Sequence, residues 1–328
     1  MNASKRALDG SRNSQANETM SLADPLPTPG ASNTGVEPQA ALETLYPFPF
    51  DYSAPSAPNL PLIFASPHSG RVYPDALRDA LCVPLIDLKR TEDAFMDELI
   101  ASARSFGAGL LTARYARGFV DLNRDPLELD RRMFDGPPPR RCAEPGPRVE
   151  AGLGCIPRVG ARGHTIYARR LGAAEAEARL RDIHDAYHGH LAAELQRLKL
   201  EHGRAFLIDC HSMPSRQPGR RPLSDIVLGD RFGSSCSSKL TSLVEARFRK
   251  LGYSVSRNTP YAGGYTTLRY GRPRRSVHAL QIEIRRDLYM DETRVARGDG
   301  FPRMASHVGQ VIGQVARFAA QTNGRRIP

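Results

Sequence analysis

The sequence contains no tryptophan, only five cysteines, and few lysines, since five of its 46 basic residues are lysine and the rest are arginine. The cysteines are odd in number and never form a C-x-x-C pair, which argues against a disulfide framework or a zinc ribbon. No apolar segment approaches the ~20 residues that a membrane span needs, and the first residues lack the apolar run of a secretory signal. We therefore expect a cytoplasmic protein without membrane contact.

The net charge of +11 first suggests nucleic acid as a partner. The arginines are spread along the chain, however, and no basic block is flanked by aromatic residues that could stack on bases. This distribution is typical of surface arginines together with a few that bind a carboxylate or a phosphate. We expect a small acidic ligand and no nucleic acid.

The composition changes near residue 45. Residues 1–45 are rich in Ser, Asn, Ala, Pro and Gly and have almost no apolar periodicity, which predicts a disordered tail. From residue 46 to residue 328, strand-like and helix-like stretches alternate without a second linker. This pattern predicts a single α/β domain.

Short apolar runs and longer amphipathic stretches define the predicted elements. Strands are predicted at 62–65, 109–112, 119–122, 206–208, 225–228 and 279–284. Helices are predicted over the apolar repeats at 95–100, 180–198, 240–251 and 304–318. The fold class predicted is α/β, with a mixed, mostly parallel sheet between helices on both faces.

Two of the predicted strands lead into histidines, in LIFASPHSG and in AFLIDCHSM. Ligands collect at the carboxyl edge of open α/β sheets, so His68 and His211 could share a metal ion there if their strands are neighbours. A catalytic zinc usually has three protein ligands, and Glu92 or Asp93 in KRTEDAFMDEL could be the third. Capping histidines and acidic residues that complement a helix dipole are the alternatives.

A lone glutamate, Glu283, lies between Ile282 and Ile284 in the apolar strand ALQIEI. A buried carboxylate in such a strand is costly unless it is paired or catalytic. Glu283 is therefore a candidate general base. An ion pair with Arg285 or Arg286 is the alternative.

The stretch FVDLNRDP offers a second kind of site, because Asn123 and Arg124 can together bind a carboxylate. A surface ion pair of Arg124 with Asp121 or Asp125 is the alternative.

His184 and His188 have metal-compatible i,i+4 spacing, but the lack of an acidic partner at a useful spacing favours a structural role for them. Cys210 is adjacent to His211 in a strand and should face the other way.

The ordered motifs PHSG, EDAFMDEL, RGFVDLNRDP, LIDCHSM, PYAGGYTTLRYGRP and HALQIEIRRDLYMDE resemble those of the N-formylglutamate amidohydrolase family over residues 61–292. The resemblance implies a fold similar to that of the zinc exopeptidases. It also implies hydrolysis of an N-acylated acidic amino acid, above all N-formyl-L-glutamate to formate and L-glutamate, in one route of histidine breakdown. A related zinc hydrolase or carboxypeptidase-like enzyme with another amide substrate, and a non-catalytic binder of acidic ligands, remain alternatives.

The resemblance also implies roles for individual residues. One Zn²⁺ per chain is expected on His68, His211 and Asp93, with Glu92 as the fallback ligand, and Glu283 is expected as the general base. Asn123 and Arg124 are expected to hold the substrate carboxylate. The loop at 263–266, with Gly264 and Tyr265, should close over the substrate, and Arg158 should help to select it. Arg114 and Arg117 are the candidates for stabilising the oxyanion.

Overall fold

A seven-stranded sheet and nine α-helices make up the part of the chain described by the computed structural model, residues 44–55, 59–216 and 223–321. The strands of the sheet are β1 (Phe50–Ser53), β2 (Leu62–Ser66), β3 (Gly109–Ala113), β4 (Ala205–Met213), β5 (Ile226–Gly229), β6 (Val255–Arg257) and β7 (Val277–Arg285). A separate two-stranded ribbon is formed by β8 (Met290–Asp291) and β9 (Ala296–Arg297).

The sheet is mixed and mostly parallel, as predicted. Its strand order is β1-β3-β2-β4-β7-β5-β6. The four adjoining strands β3, β2, β4 and β7 run parallel to one another. At the edges, β1 is antiparallel to β3, and β5 is antiparallel to β7 while β6 is parallel to β5. The parallel centre brings the carboxyl ends of β2, β4 and β7 to the same edge of the sheet.

Helices cover both faces of this sheet, which confirms the predicted layer arrangement. The helices are α1 (Asp75–Arg78), α2 (Leu85–Lys89), α3 (Met96–Leu99), α4 (Pro147–Glu150), α5 (Ala173–Arg179), α6 (Ala186–His202), α7 (Ser238–Lys250), α8 (Tyr265–Tyr270) and α9 (Phe301–Gln321). A π-helical segment, Leu180–Asp185, joins α5 to α6. None of the helices in the described ranges is long and apolar enough to cross a membrane.

Alternate residues of the central strands enter two different cores. Leu207 of β4 packs with residues of α5 and α6 on one face of the sheet. Phe206 and Cys210 of the same strand pack with residues of α3, α7 and α9 on the other face. Cys210 therefore faces away from its neighbour His211, as predicted.

Three details differ from the prediction. Residues 119–122 are not a strand: Phe119 and Val120 are buried, but their backbone N–H groups donate to Ala116 O in a turn. The short strands β1 and β6 were not predicted, because they are edge strands with few fully buried residues. The strand of the AFLIDCHSM motif does not stop before its histidine, since β4 includes His211.

The predicted boundary near residue 45 falls at the limit of the described residues. The described residues from Thr44 onward form one compact unit. Residues 1–43 lie outside the described residues, so the predicted tail stays a prediction.

Candidate active site

Two parallel neighbours, β2 and β4, bring His68 and His211 together. His68 lies two residues beyond the end of β2, and His211 is the third residue from the end of β4. Asp93 is tied to the same turn, because its backbone N–H donates to His68 O at 3.0 Å. Gly70 closes this turn against the 114–115 backbone, where a Cβ would lie 2.1 Å from Tyr115 O. The PHSG motif therefore needs glycine at its last position.

The side chains of these three residues form a buried cluster, the His68–Asp93–His211 cluster. Asp93 Oδ2 lies 2.9 Å from His211 Nδ1 and 3.3 Å from His68 Nδ1, and the two Nδ1 atoms are 3.1 Å apart. Two ligands bound to one zinc at 2.0–2.1 Å in a tetrahedral arrangement are about 3.3 Å apart. Three donor atoms of the right types thus form a triangle of nearly that size, so these residues fit a divalent cation.

Carboxylates contact the outer nitrogens of both histidines. His68 Nε2 lies 2.7 Å from Asp121 Oδ1, and His211 Nε2 lies 3.0 Å from Asp209 Oδ2. A proton on His68 Nε2 is favoured by the first of these contacts, which leaves the Nδ1 lone pair of His68 directed at the centre of the cluster. Arg117 Nη2 in turn donates to Asp121 Oδ2 at 2.7 Å, which fixes that carboxylate.

The second oxygen of Asp93 is also bonded. Asp93 Oδ1 accepts hydrogen bonds from Ser212 Oγ at 3.0 Å and from Arg286 Nη2 at 3.2 Å. Burial alone would raise the pKa of Asp93, but its hydrogen bonds with His211 and His68 outweigh burial and hold the pKa well below its usual value. Asp93 is therefore an anion suited to a cation.

Glu92, the fallback ligand, lies outside the cluster. Its carboxylate accepts a hydrogen bond from the Tyr73 hydroxyl. The two consecutive acidic residues thus have different surroundings, and the geometry favours Asp93 over Glu92 as the third ligand.

Glu283 is positioned beside the cluster by the pairing of β7 with β4. Its Cα partner in the parallel register is His211, so both side chains lie on the same face of the sheet. Gln281 Nε2 donates to Glu283 Oε1 at 2.8 Å, and burial raises the pKa of Glu283 to about 7. The alternative ion pairs do not form among the described residues, because Arg285 pairs with Asp225 and Asp287 and Arg286 pairs with Asp93.

A cavity of about 1070 Å³ opens over these groups. Asn123 and Arg124 line it together with the cluster and Glu283. The guanidinium of Arg124 has no carboxylate within 4.0 Å in the described ranges, and its buried Nε has no hydrogen-bond partner there. The alternative pairing with Asp121 or Asp125 is thus not seen, and Arg124 is a cation open to a ligand.

The backbone of the Asn123–Arg124 turn is held from below by two histidines. His188 Nε2 lies 2.7 Å from Leu122 O, and His184 Nε2 lies 2.9 Å from Arg124 O. His184 belongs to the π-helical segment Leu180–Asp185, a type of irregularity that often occurs at functional sites. Both histidines therefore have a structural role, which the lack of an acidic partner at a useful spacing had favoured.

The loop before α8 contacts Asn123 from the other side. Asn123 Oδ1 accepts the backbone N–H of Thr266 at 2.9 Å, and a Cβ at Gly264 would lie 2.3 Å from Asn123 Nδ2. Gly264 N also donates to Gln281 Oε1 at 2.8 Å, which links the loop to Glu283. Gly264 lines the cavity, whereas the Tyr265 ring does not, because it packs against His184 and His188.

Two other predicted residues lie elsewhere. Arg158 does not line the cavity; its Nε donates to Asp130 Oδ2 at 2.8 Å. Arg114 is near Asp51 and over the Phe48 ring, away from the cavity, whereas Arg117 does line it. The guanidinium of Arg158 is therefore engaged in a salt bridge with Asp130. Of the two candidates for stabilising the oxyanion, Arg117 is the better placed.

Several residues of the site were not predicted. Asp209 and Gln281 are two residues before His211 and Glu283, so strand alternation alone could have placed them on the same face. Ser212 and Arg286 reach Asp93 through contacts that no local pattern reveals. Tyr261 and Arg148 also line the cavity, from segments far apart in sequence.

Known proteins are similar to this chain in sequence and in fold. The family model described as N-formylglutamate amidohydrolase matches residues 60–290. The chain is 33% identical to the N-formylglutamate deformylase of Pseudomonas putida and 34% identical to that of Pseudomonas aeruginosa, in each case over 241 residues that make up 71% of this chain and 83% of the relative.

A solved structure is also similar. The crystal structure of N-formylglutamate amidohydrolase from Ralstonia eutropha JMP134 aligns with a TM-score of 0.79 at 34% sequence identity, covering 83% of this chain and 99% of that one. The family match covers well over half of the chain, and both sequence relatives exceed 30% identity over most of their length. The chain belongs to the N-formylglutamate amidohydrolase family.

Proposed function

We propose that this protein is a metal-dependent amidohydrolase that cleaves N-formyl-L-glutamate to formate and L-glutamate, with one zinc ion on His68, Asp93 and His211. One observation supports this above all. A triangle of two imidazole nitrogens and one carboxylate oxygen lies beside a buried glutamate whose pKa is raised to about 7. The names of the relatives supply the substrate.

The donor set suits zinc, because imidazole and carboxylate are both common zinc ligands. When bound, such a cation polarises the carbonyl of the amide and makes water a better nucleophile at neutral pH. Glu283 would take the proton from the attacking water as its oxygen bonds to the formyl carbon. It would then return that proton to the amide nitrogen as the C–N bond breaks, so that formate and a free amine leave.

The other residues would bind and orient the substrate. Arg124 has a guanidinium free to form two parallel hydrogen bonds with a carboxylate, and His184 holds the backbone carbonyl of the turn that carries it. The amide nitrogen of Asn123 lies 3.3 Å from His211 Nε2, next to the cluster. Arg117, on the wall of the cavity, is the candidate for stabilising negative charge on the carbonyl oxygen.

Formate release tests the proposal. The purified protein should release formate from N-formyl-L-glutamate, lose that activity to a chelator, and regain it when zinc is added back. N-formyl-L-aspartate and N-formimino-L-glutamate serve as comparison substrates for chain length and for the acyl group. Zinc content near one per chain in the wild type, and near zero in His68→Ala and His211→Ala, is expected from elemental analysis. Metal-free protein that still binds glutamate would instead indicate a non-catalytic binder.

A further inference from the structure

The arginines that line the cavity differ in whether they are already paired. Arg90 pairs with Asp87, Arg117 with Asp121, and Arg286 with Asp93. Arg148, like Arg124, has no carboxylate partner in the described parts of the chain, although both line the cavity. Arg216 also lines the cavity, but it adjoins residues 217–222, which are outside the described ranges.

The two arginines are close enough to repel each other. Burial lowers the pKa of Arg124, the negative charge of Asp121 raises it, and the positive charges of Arg148 and Arg117 lower it. The charge of Arg117 is compensated by Asp121. An anionic ligand bound between Arg124 and Arg148 would relieve the repulsion between these two positive charges.

The backbone that carries Arg148 is fixed by a network of ion pairs. Arg148 lies in α4, and Arg132 Nη2 donates to the carbonyl of Glu150 in the same helix at 3.2 Å. Asp130 holds Arg132 on one side and Arg158 on the other, each at 2.8 Å. The backbone N–H of Arg158 donates to Gly152 O at 2.8 Å, just beyond the helix. Arg158, which the sequence suggested as a substrate-selecting residue, thus anchors the segment that presents Arg148.

Apolar groups from the same segment line the cavity. They are Leu153, Pro157, Val159 and Ile166. A ligand with a short methylene chain that ends in a charged group would match an apolar wall next to a free arginine. Arg124 is half-buried, whereas Arg148 is exposed at the rim, so the two cations lie at different depths.

We propose that Arg148 forms a second anion subsite, which binds the side-chain carboxylate of the substrate while Arg124 binds the carboxylate next to the amide. Arg148 is then the residue that distinguishes acidic from neutral N-acylated amino acids. This inference rests on the proposed function for the identity of the scissile amide. The subsite itself rests on the unpaired guanidinium and the anchored helix.

A comparison of N-formyl-L-glutamate with N-formyl-L-glutamine, whose side-chain amide is a neutral isostere of the side-chain carboxylate, tests the subsite. Arg148→Gln should lower kcat/KM for the glutamate substrate roughly 10- to 100-fold, the size of one lost charge-assisted hydrogen-bond pair. The same variant should change kcat/KM for the glutamine substrate less than about threefold. Arg124→Gln should lower both values, because both substrates keep the carboxylate that it binds. Arg216→Gln, which removes another charge from the same cavity, is the matched control and should affect both substrates alike.

Other outcomes would overturn the inference. If Arg148→Gln lowered kcat/KM equally for the two substrates, Arg148 would not recognise the side-chain carboxylate. If only Arg216→Gln showed a loss selective for N-formyl-L-glutamate, the subsite would belong to Arg216 instead. A second measurement does not need turnover: calorimetric binding of the product L-glutamate to the zinc-loaded protein should weaken at least tenfold in Arg148→Gln. If no formate is released from either substrate but L-glutamate binding depends on Arg148, the proposed function fails and the subsite stands. If Arg148→Gln binds L-glutamate with unchanged affinity, Arg148 does not form an anion subsite.

Discussion

Glu283 lies directly opposite His211 in the parallel pairing of β7 with β4. The glutamate therefore faces the same side of the sheet as the histidine, although 72 positions separate them in sequence (283 − 211). The pair two positions earlier in the register, Asp209 and Gln281, has the same orientation and contacts the same two side chains. One stretch of strand register thus supplies a candidate ligand, a candidate base and a supporting partner for each.

Replacing Glu283 with glutamine should separate proton transfer from metal binding. Glu283→Gln keeps the size of the side chain but cannot accept the proton, so kcat should fall about 10²- to 10⁴-fold. Zinc content should stay at the wild-type value, because Glu283 is not one of the three candidate ligands. Asp287→Asn, another acidic residue of the cavity, is the control and should stay within about threefold of the wild type. A wild-type kcat in Glu283→Gln would show that Glu283 is not the general base.

Replacing Asp121 with asparagine should weaken metal binding without touching a ligand. Asp121 orients His68 through the 2.7 Å contact at Nε2, and loss of such a partner typically costs 10- to 100-fold in metal affinity. We expect that loss in competition with a chromogenic chelator. Asp182→Asn is a suitable control, because Asp182 is also buried but accepts a hydrogen bond from Leu45 N instead. Equal affinities in the two variants would contradict an orienting role for Asp121.

The sequence predicted most of the fold because long apolar repeats and buried strands have clear periods. Four of the six predicted strands overlap central strands of the sheet, and a fifth overlaps β5. The run at 119–122 was predicted wrongly, since Phe119 and Val120 are buried from a turn in which both of their backbone N–H groups donate to Ala116 O. Periodicity alone cannot distinguish these two ways of burying a short apolar run.

The candidate site was predictable where residues follow strands and was hidden where contacts are long-range. His68, His211 and Glu283 could be found because a polar residue in an apolar strand is costly unless it has a use. The choice of Asp93 over Glu92 depends on the direction of a turn, which the sequence does not reveal. Arg158 was expected to select the substrate, but its partner Asp130 is 28 positions away, and no local pattern indicates that pairing.

His278 should make stability fall in mild acid. It is buried against Phe206, its Nδ1 accepts the Ser237 N–H at 3.2 Å, and burial lowers its pKa to about 4, with a smaller contribution from Arg204. Since the pKa is about 6.5 when unfolded, the unfolded state binds more protons below that pH. The contribution of neutral His278 to the free energy of unfolding is therefore fully present above about pH 6.5. It is lost as the pH falls towards 4, and the total loss is about 3 kcal/mol.

Urea denaturation of the wild type and His278→Gln across this pH range isolates the contribution of His278. Glutamine keeps an acceptor for the Ser237 N–H but does not titrate here. The difference in unfolding free energy between the two proteins should thus shrink, or reverse in favour of the variant, from pH 7 to pH 4. If the unfolding free energies of the two proteins fell in parallel with pH, another group would be the cause of the loss of stability in acid.

His184 should act on substrate binding through Arg124. Its Nε2 lies 2.9 Å from the Arg124 carbonyl, so His184→Ala removes the donor that fixes the turn carrying that arginine. We expect KM to rise about 3- to 10-fold, the size of one neutral hydrogen bond, with kcat nearly unchanged. His184→Gln, which can restore a donor, should recover part of the loss. In the Arg124→Gln background, His184→Ala should have little further effect on KM, because the group that it positions is already gone. Additive losses in the double variant would mean that His184 supports the site by another route, and a fall in kcat alone would exclude a role in positioning Arg124.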